Sequence, residues 1–301
     1  MPDAVSVSAP AKVNLRLRIL AREASGYHGL ETLFHAISLA DEVTARRGAP
    51  GLRLTVGGGV DTGPADDNLV LRAARAFHGA TGDAPSVDLH LAKRIPSAAG
   101  LGGGSSDAAA TLRALNALHG GPLPPETLLQ LAGGLGSDVP FFLCGSPYAL
   151  AWSRGERLLA LPPLPVRPVL VAHPCVAMPT VDAFRRVADS RGGGYLPSSA
   201  SIAADELGGW EGVERLAVND FEAGAVAAIP VLAVAKAAMR DAGARIALLA
   251  GSGASLFGVF ADEGARDLAR SRVEALGMAC WSAWTLDAEV APRVDFQVDG
   301  A

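Results

Sequence analysis

The sequence predicts an α+β fold in two domains. Three observations carry that expectation. Some segments alternate apolar and polar residues with a period of two, as half-buried strands do, while others repeat at helical spacing. These strands and helices interleave without a strict βαβ rhythm, which argues against a doubly wound parallel sheet. A stiff connector, Pro162-Pro163 and Pro165, falls near the middle of a 301-residue chain, a length that suits roughly two domains of ordinary size. The boundary is expected near Arg154–Pro163, giving domains over 1–158 and 159–301.

Composition narrows the function classes. Half the residues are hydrophobic and 19% are charged, which is globular and excludes a disordered chain. Aromatics are only 5%, so the core is built from Leu, Val, Ile and Ala. The formal net charge of -5 supplies no global positive field for nucleic acid or an anionic membrane. A local anion site made from backbone N–H groups stays open. Cys144, Cys175 and Cys280 are too few and too scattered for a disulfide framework or a zinc site, and fit a reducing cytosol. Met1–Ala11 carries no targeting pattern. Ile246–Ala261, the longest apolar stretch, is broken by Ser252, Ser255 and three glycines; a span needs about 20 apolar residues.

In chain order, Val13, Leu15, Leu17 and Ile19 alternate with Lys12, Asn14, Arg16 and Arg18, a strand with one buried and one polar face. Val87, Leu89 and Leu91 alternate again, opposite Asp88 and His90. A helix is predicted over Asp107–Leu118, with Ser105, Ser106 and Asp107 as candidate caps. A short helix around Leu128–Leu131 should stop at Gly133-Gly134. Beyond the connector, Val169–Ala172 reads as a strand, Val181–Ser190 as a helix and Arg191–Ser201 as a loop. Ala223–Ala242 is a long helical pattern bent at Pro230. Ile246–Leu249 and Leu256–Phe260 are strands joined by Gly251-Ser252-Gly253, followed by a helix over Ala265–Leu276 and a strand over Ala279–Trp284.

The strongest chemical signal is Ile95-Pro96-Ser97-Ala98-Ala99-Gly100-Leu101-Gly102-Gly103-Gly104-Ser105-Ser106-Asp107. Glycines let the backbone approach a ligand closely, and successive N–H groups at a helix start attract anions. The serines add hydroxyls that can also reach a metal. The plain alternative is a flexible loop with a serine cap; its place between a strand and a helix favours phosphate. A Rossmann fingerprint would need glycine where Ser105 stands, and no lysine ends the run as a Walker A loop requires. A nicotinamide dehydrogenase and a P-loop ATPase are thereby disfavoured. Three weaker signals accompany it: Pro10-Ala11-Lys12-Val13-Asn14-Leu15, Leu135-Gly136-Ser137-Asp138-Val139-Pro140-Phe141-Phe142, and Gly251-Ser252-Gly253-Ala254-Ser255. Taken singly they read as an exposed strand face, a helix N-cap at Asp138 and a hairpin turn.

Together the four segments resemble the GHMP small-molecule kinases, and the resemblance runs nearly end to end. Gly26-Tyr27-His28, Leu33-Phe34-His35-Ala36-Ile37, Asp67-Asn68-Leu69-Val70 and Asn219-Asp220-Phe221-Glu222 are similar to the branch of that family whose acceptor is a cytidine diphosphate conjugate on a route to isoprenoid precursors. The resemblance implies an N-terminal domain like domain 2 of a small ribosomal-subunit protein, a ferredoxin-like C-terminal domain and an active site in the cleft between them. It implies ATP, carried with Mg²⁺, as co-substrate and a small-molecule acceptor. It places the ATP phosphates on Gly100, Leu101, Gly102, Gly103, Gly104, Ser105 and Ser106 after Pro96, and the adenosine near Asn68 and Lys93. Lys12 and Asp138 would be the catalytic pair, with Asn14 nearby. Thr180 would line the acceptor site, while Tyr27, His28 and Phe184 would hold the cytosine. No dedicated metal cage is expected, since Mg²⁺ keeps waters and phosphate oxygens. A cytoplasmic monomer or weak homodimer is expected, without nucleic-acid or membrane partners. Two departures from the family pattern lie in Cys144-Gly145-Ser146-Pro147, where Gly-Gly is common, and at Ser153, which replaces a usual glycine. The competing readings are a kinase for homoserine, mevalonate or a sugar, and a non-catalytic nucleotide-binding regulator on the same scaffold.

Overall fold

The computed structural model describes residues 1–22, 28–59, 67–176, 178–190 and 202–295. Its backbone is a long antiparallel ribbon, β1 (Ala4–Arg22) and β2 (His28–Arg47). The ribbon serves two half-sheets. The later part of β2 pairs with β4 (Ser86–Ala92), which pairs in parallel with β3 (Gly51–Gly57). The earlier part of β2 pairs with β5 (Tyr148–Ser153), which pairs with β6 (Arg157–Ala160). Two strands from the far end of the chain return to β1: the two-residue β8 (Val218–Asn219) beside Arg16 and Leu17, and β12 (Arg293–Asp295) beside Ala4–Ser6.

Three helices cover the first half-sheet: α1 (Leu69–Thr81), α2 (Gly103–Leu118) and α3 (Pro125–Leu135). Their core includes Phe34, Phe77, Leu89, Leu115 and Phe141. The second sheet is antiparallel throughout, in the order β11 (Ala279–Trp284), β7 (Pro168–His173), β10 (Leu256–Val259), β9 (Ile246–Leu249). One face packs against the ribbon through Val13, Leu15, Val169, Val171 and Phe257. The other is covered by α4 (Thr180–Ser190), α6 (Glu222–Ala228), α7 (Val231–Asp241) and α8 (Glu263–Glu274). The short helix α5 (Trp210–Leu216) leads into β8.

Several expectations need correction. The polar face of β1 is not exposed: Lys12, Asn14 and Arg16 are all buried, Lys12 against Gly102 and Phe34, Asn14 against Gly251 and Arg16 against the Leu216 carbonyl. Helix α2 begins at Gly103, four residues earlier than expected, and no serine caps it; Gly102, at φ 71°, does so without a side-chain bond. Helix α3 runs through Gly133-Gly134 and ends at Leu135. The long helix over Ala223–Ala242 is two helices meeting at 119°, broken at Ile229-Pro230. Among the described residues no single helix is long and apolar enough to cross a membrane. The loop expected over 191–201 lies outside the described residues.

The two departures from the family pattern are accommodated differently. The Ser146 hydroxyl donates to the Leu161 carbonyl at 2.7 Å and accepts from the Tyr148 N–H. Ser153 takes φ 68°, a left-handed conformation that suits the glycine it replaces.

Candidate functional site

The long β1 brings the first functional side chains to the middle of the molecule. Lys12 and Asn14 sit two apart on one face, and the Lys12 ammonium donates to Asn14 Oδ1 at 2.8 Å. Asn14 in turn donates to Thr32 Oγ1 at 2.7 Å, and Thr32 donates to the Arg16 carbonyl. Lys12 also lies 3.4 Å from Asp138 Oδ2. Asp138 does not cap the turn that follows, whose cap is Val139 and makes no side-chain bond. Its carboxylate instead faces a cleft of about 1050 Å³.

The glycine loop forms the wall between that cleft and a second cavity of about 340 Å³. Gly100, Gly102 and Ser105 line both. The second cavity collects Asn68, Lys93, Pro96, Leu101, Gly103 and Gly104 as well, so all but one of the residues expected around ATP meet there. The exception is Ser106, whose buried hydroxyl has no partner and lines a separate small cavity against Phe141 and Phe142. Its N–H donates to the Gly102 carbonyl, so α2 offers the N–H groups of Gly103, Gly104 and Ser105 as donors outside the helical ladder. Asn68 caps α1 by accepting from the Val70 N–H at 2.9 Å.

Side chains are excluded from this wall by proximity. A Cβ on Gly102 would lie 3.0 Å from Lys12 Cε, and one on Gly100 would lie 2.0 Å from the Ala250 carbonyl oxygen. The second contact is where the domains meet: Gly251 packs backbone to backbone against Gly100, and the Gly251 N–H reaches Asn14 Oδ1 at 3.1 Å. On the cleft's other side Thr180 Oγ1 is 3.1 Å from Ser252 Oγ, and Phe184 stands edge-on to Phe221 at 4.9 Å. Tyr27 lies outside the described residues, as does the side chain of His28.

Beneath the glycine loop is an ionic cluster that the sequence reading did not anticipate. Lys93 binds both Asp41 and Asp107, the latter at 2.9 Å. Asp41 Oδ1 also accepts from the N–H groups of Arg94 and Ile95 at 2.5 and 2.8 Å. Burial works against the Lys93 ammonium, but Asp107 and Asp41 outweigh it and hold its pKa above the ordinary lysine value. Burial pushes the Asp107 carboxyl up despite Lys93, and the nearby Asp41 adds to the rise. One ammonium thus ties the strand before the loop to the helix after it. Asp41 carried no sequence signal in Leu39-Ala40-Asp41-Glu42.

The arrangement can hold an anion at the start of α2 and set beside it a carboxylate able to take a proton. The description "GHMP kinases N terminal domain" matches residues 68–146, and "GHMP kinases C terminal" matches residues 203–277. A 4-diphosphocytidyl-2-C-methyl-D-erythritol kinase from Geobacter sp. (strain M21) is 38% identical over 270 residues, 88% of this chain and 93% of that protein. The chain belongs to the GHMP kinase family, on the branch of that relative. A crystal structure of 4-(cytidine 5'-diphospho)-2C-methyl-D-erythritol kinase superimposes on this kinase with a TM-score of 0.75 at 39% identity, covering 93% of this chain and 98% of that one. Homoserine kinase from Cytophaga hutchinsonii shares the fold, with a TM-score of 0.71 at 22% identity and 98% of each chain covered.

Proposed function

We propose that this GHMP kinase transfers the γ-phosphoryl group of ATP to the 2-hydroxyl of 4-diphosphocytidyl-2-C-methyl-D-erythritol, giving the 2-phosphate and ADP, a step of the non-mevalonate route to isoprenoid precursors. The observation that carries the reading is the Lys12–Asp138 pair on the cleft side of a glycine wall whose other side is a separate cavity.

Phosphoryl transfer requires positioning and charge neutralisation more than covalent help. The N–H groups of Gly103, Gly104 and Ser105 hold the phosphates, with the adenosine toward Asn68 and Lys93. Asp138 accepts the acceptor's hydroxyl proton as the new O–P bond forms. Lys12 stabilises the negative charge of the transferring group and orients Asp138, while Asn14 holds Lys12. Tyr27, His28 and Phe184 grip the cytosine, and Thr180 lines the acceptor's path. Ser105, which lines both cavities, would offer its hydroxyl to a Mg²⁺ brought in by ATP. The ion supplies neutralisation of phosphate charge. We also read the second sheet as ferredoxin-like: the strand order β11-β7-β10-β9 with intervening helices supports it, being that of a β-α-β-β-α-β unit. The ribbon half resembles domain 2 of the small ribosomal-subunit protein, and the enzyme works in the cytoplasm as a monomer or weak homodimer.

ADP release measured with the cytidine conjugate, its uridine counterpart, homoserine and mevalonate tests the function. Turnover is expected with the first, reduced efficiency with the second because buried groups lose their partners, and none with the others. Equal efficiency with the cytidine and uridine conjugates, or preference for homoserine, overturns it.

A further inference from the structure

The tetrapeptide Asn219-Asp220-Phe221-Glu222 lies outside the glycine loop and the Lys12–Asp138 pair, yet each of its residues makes a specific contact. Asp220 accepts from the Ile19 N–H at 2.8 Å and pairs with Arg18. Phe221 stands against Phe184. Glu222 accepts from the Leu249 N–H and pairs with Lys236. Asn219, buried, makes three bonds: Nδ2 donates to the carbonyls of Leu249 at 2.7 Å and Gly251 at 2.8 Å, and Oδ1 accepts from the Phe221 N–H at 2.9 Å.

The bond to Gly251 has a specific consequence. Gly251 is held from both ends: its carbonyl by Asn219, and its N–H by Asn14 Oδ1 at 3.1 Å. That same Asn14 oxygen accepts from the Lys12 ammonium. A continuous chain of hydrogen bonds therefore runs from Asn219 through one glycine to Asn14 and Lys12, ending 3.4 Å from Asp138. Glycine has no side chain to fix its own place, and the Gly251 backbone is already wedged against Gly100. Its orientation is set by the two asparagines.

We propose that Asn219 is a positioning residue for phosphoryl transfer: by holding the Gly251 carbonyl it aims the Gly251 N–H at Asn14 and so fixes the Lys12 ammonium beside Asp138. This rests on the catalytic pair of the proposed function. Small misplacements of catalytic groups cost turnover more than binding. The test is Asn219→Asp, which keeps shape and the bond from the Phe221 N–H but replaces the donor by an oxygen facing two carbonyls. Expected is a fall in kcat of about 10-fold or more, with KM for ATP and for the acceptor within about two-fold of wild type. The Asn14 side-chain amide resonance, assigned by its loss in Asn14→Ser, should shift in Asn219→Asp; it reads the relay without any substrate. Because both residues act through Gly251, the kcat losses of Asn14→Ser and Asn219→Asp should combine to less than their product. An unmoved Asn14 resonance, an unchanged kcat or fully multiplicative losses overturn the proposal. Absence of wild-type turnover with the cytidine conjugate instead overturns the functional reading, and the resonance still decides the relay. Should Asn219→Asp fail to fold, Asn219→Ser, which keeps a single donor, is read by the same resonance and the same kcat-against-KM split.

Discussion

Two lysines flank the glycine loop, and their surroundings differ in kind. Lys12 meets one carboxylate, Asp138, whose side chain remains 30% exposed toward the cleft. Lys93 meets two, Asp41 and Asp107, both of them buried. Every oxygen of Asp41 is committed, to Lys93 and to two backbone N–H groups. Asp138 has lone pairs to spare on the side where a hydroxyl can approach. A carboxylate saturated by the protein holds structure; one that stays open to a ligand can move a proton. The same pair of residue types thus builds on one side of the loop and, in the proposed mechanism, reacts on the other.

The difference can be broken at four points. Asp138→Asn should cut turnover by roughly 10²–10⁴-fold, the usual size of a lost general base, with a chemical-denaturation midpoint close to wild type. Near-normal turnover would remove Asp138 as the base. Asp41→Asn should show the reverse pattern. It sets an amide N–H₂ against the Lys93 ammonium and should lower unfolding free energy by about 3–5 kcal/mol, as removing one partner of a buried pair does; a denaturation curve superimposable on wild type would contradict the saturated-carboxylate account.

The third point is a buried titratable group with no ionic partner. His35 stacks on Trp210 at 5.9 Å, its Nε2 is buried without a partner, and burial lowers its pKa to about 4 against a small opposing bond to the Ala36 carbonyl. Its folded value lies below the unfolded one, so the unfolded chain takes the proton first. The stability it contributes is complete above about pH 6.5 and drains away as the pH falls toward 4, by about 3 kcal/mol in all. His35→Phe should lose about that much less than wild type over this window in urea titrations; parallel curves would mean that His35 does not resist protonation. The smallest effect belongs to Ser153→Gly, which relieves the left-handed backbone on the hairpin whose Gly155 lies over Asp138. A gain of about 0.5–1 kcal/mol is expected, with unchanged turnover; a loss of stability would show that the serine side chain compensates for its conformation.

Most of the second domain was legible because its elements follow one period each. The strand over Ala279–Trp284 and the helix ending at Ser190 lie where the pattern puts them. The ribbon was not, beyond the alternation of β1. In β2, Leu33, Phe34, Ala36 and Ile37 are all buried, since its middle is covered on both faces, and register shifts near Pro10 and Asn14 disturb the alternation. Helix α2 starts early because its first turn is anchored by what lies beneath it, not by capping side chains. For the candidate site, motif order named Lys12, Asn14 and Asp138, and the structure brings the three side chains together. Asp41 and Asn219 were missed or left without a role because each acts on backbone atoms, and the identity of a backbone partner leaves no mark on a sequence.

The contact between Gly100 and Gly251 bears on how such enzymes can be recombined. It joins main chain to main chain, and so does the bond from the Ser255 N–H to the Ala99 carbonyl. At this point the junction uses backbone atoms, while beside it the halves meet through side chains such as Val13, Leu15, Val169 and Phe257. A chimera that grafts the second half of another GHMP kinase onto the first half of this one should seat correctly there if the graft brings a glycine to meet Gly100 and apolar side chains to meet Val13 and Leu15. Acceptor preference would then be divided: on the proposed roles Thr180 and Phe184 change with the graft, while Tyr27, His28 and the phosphate wall stay with the recipient.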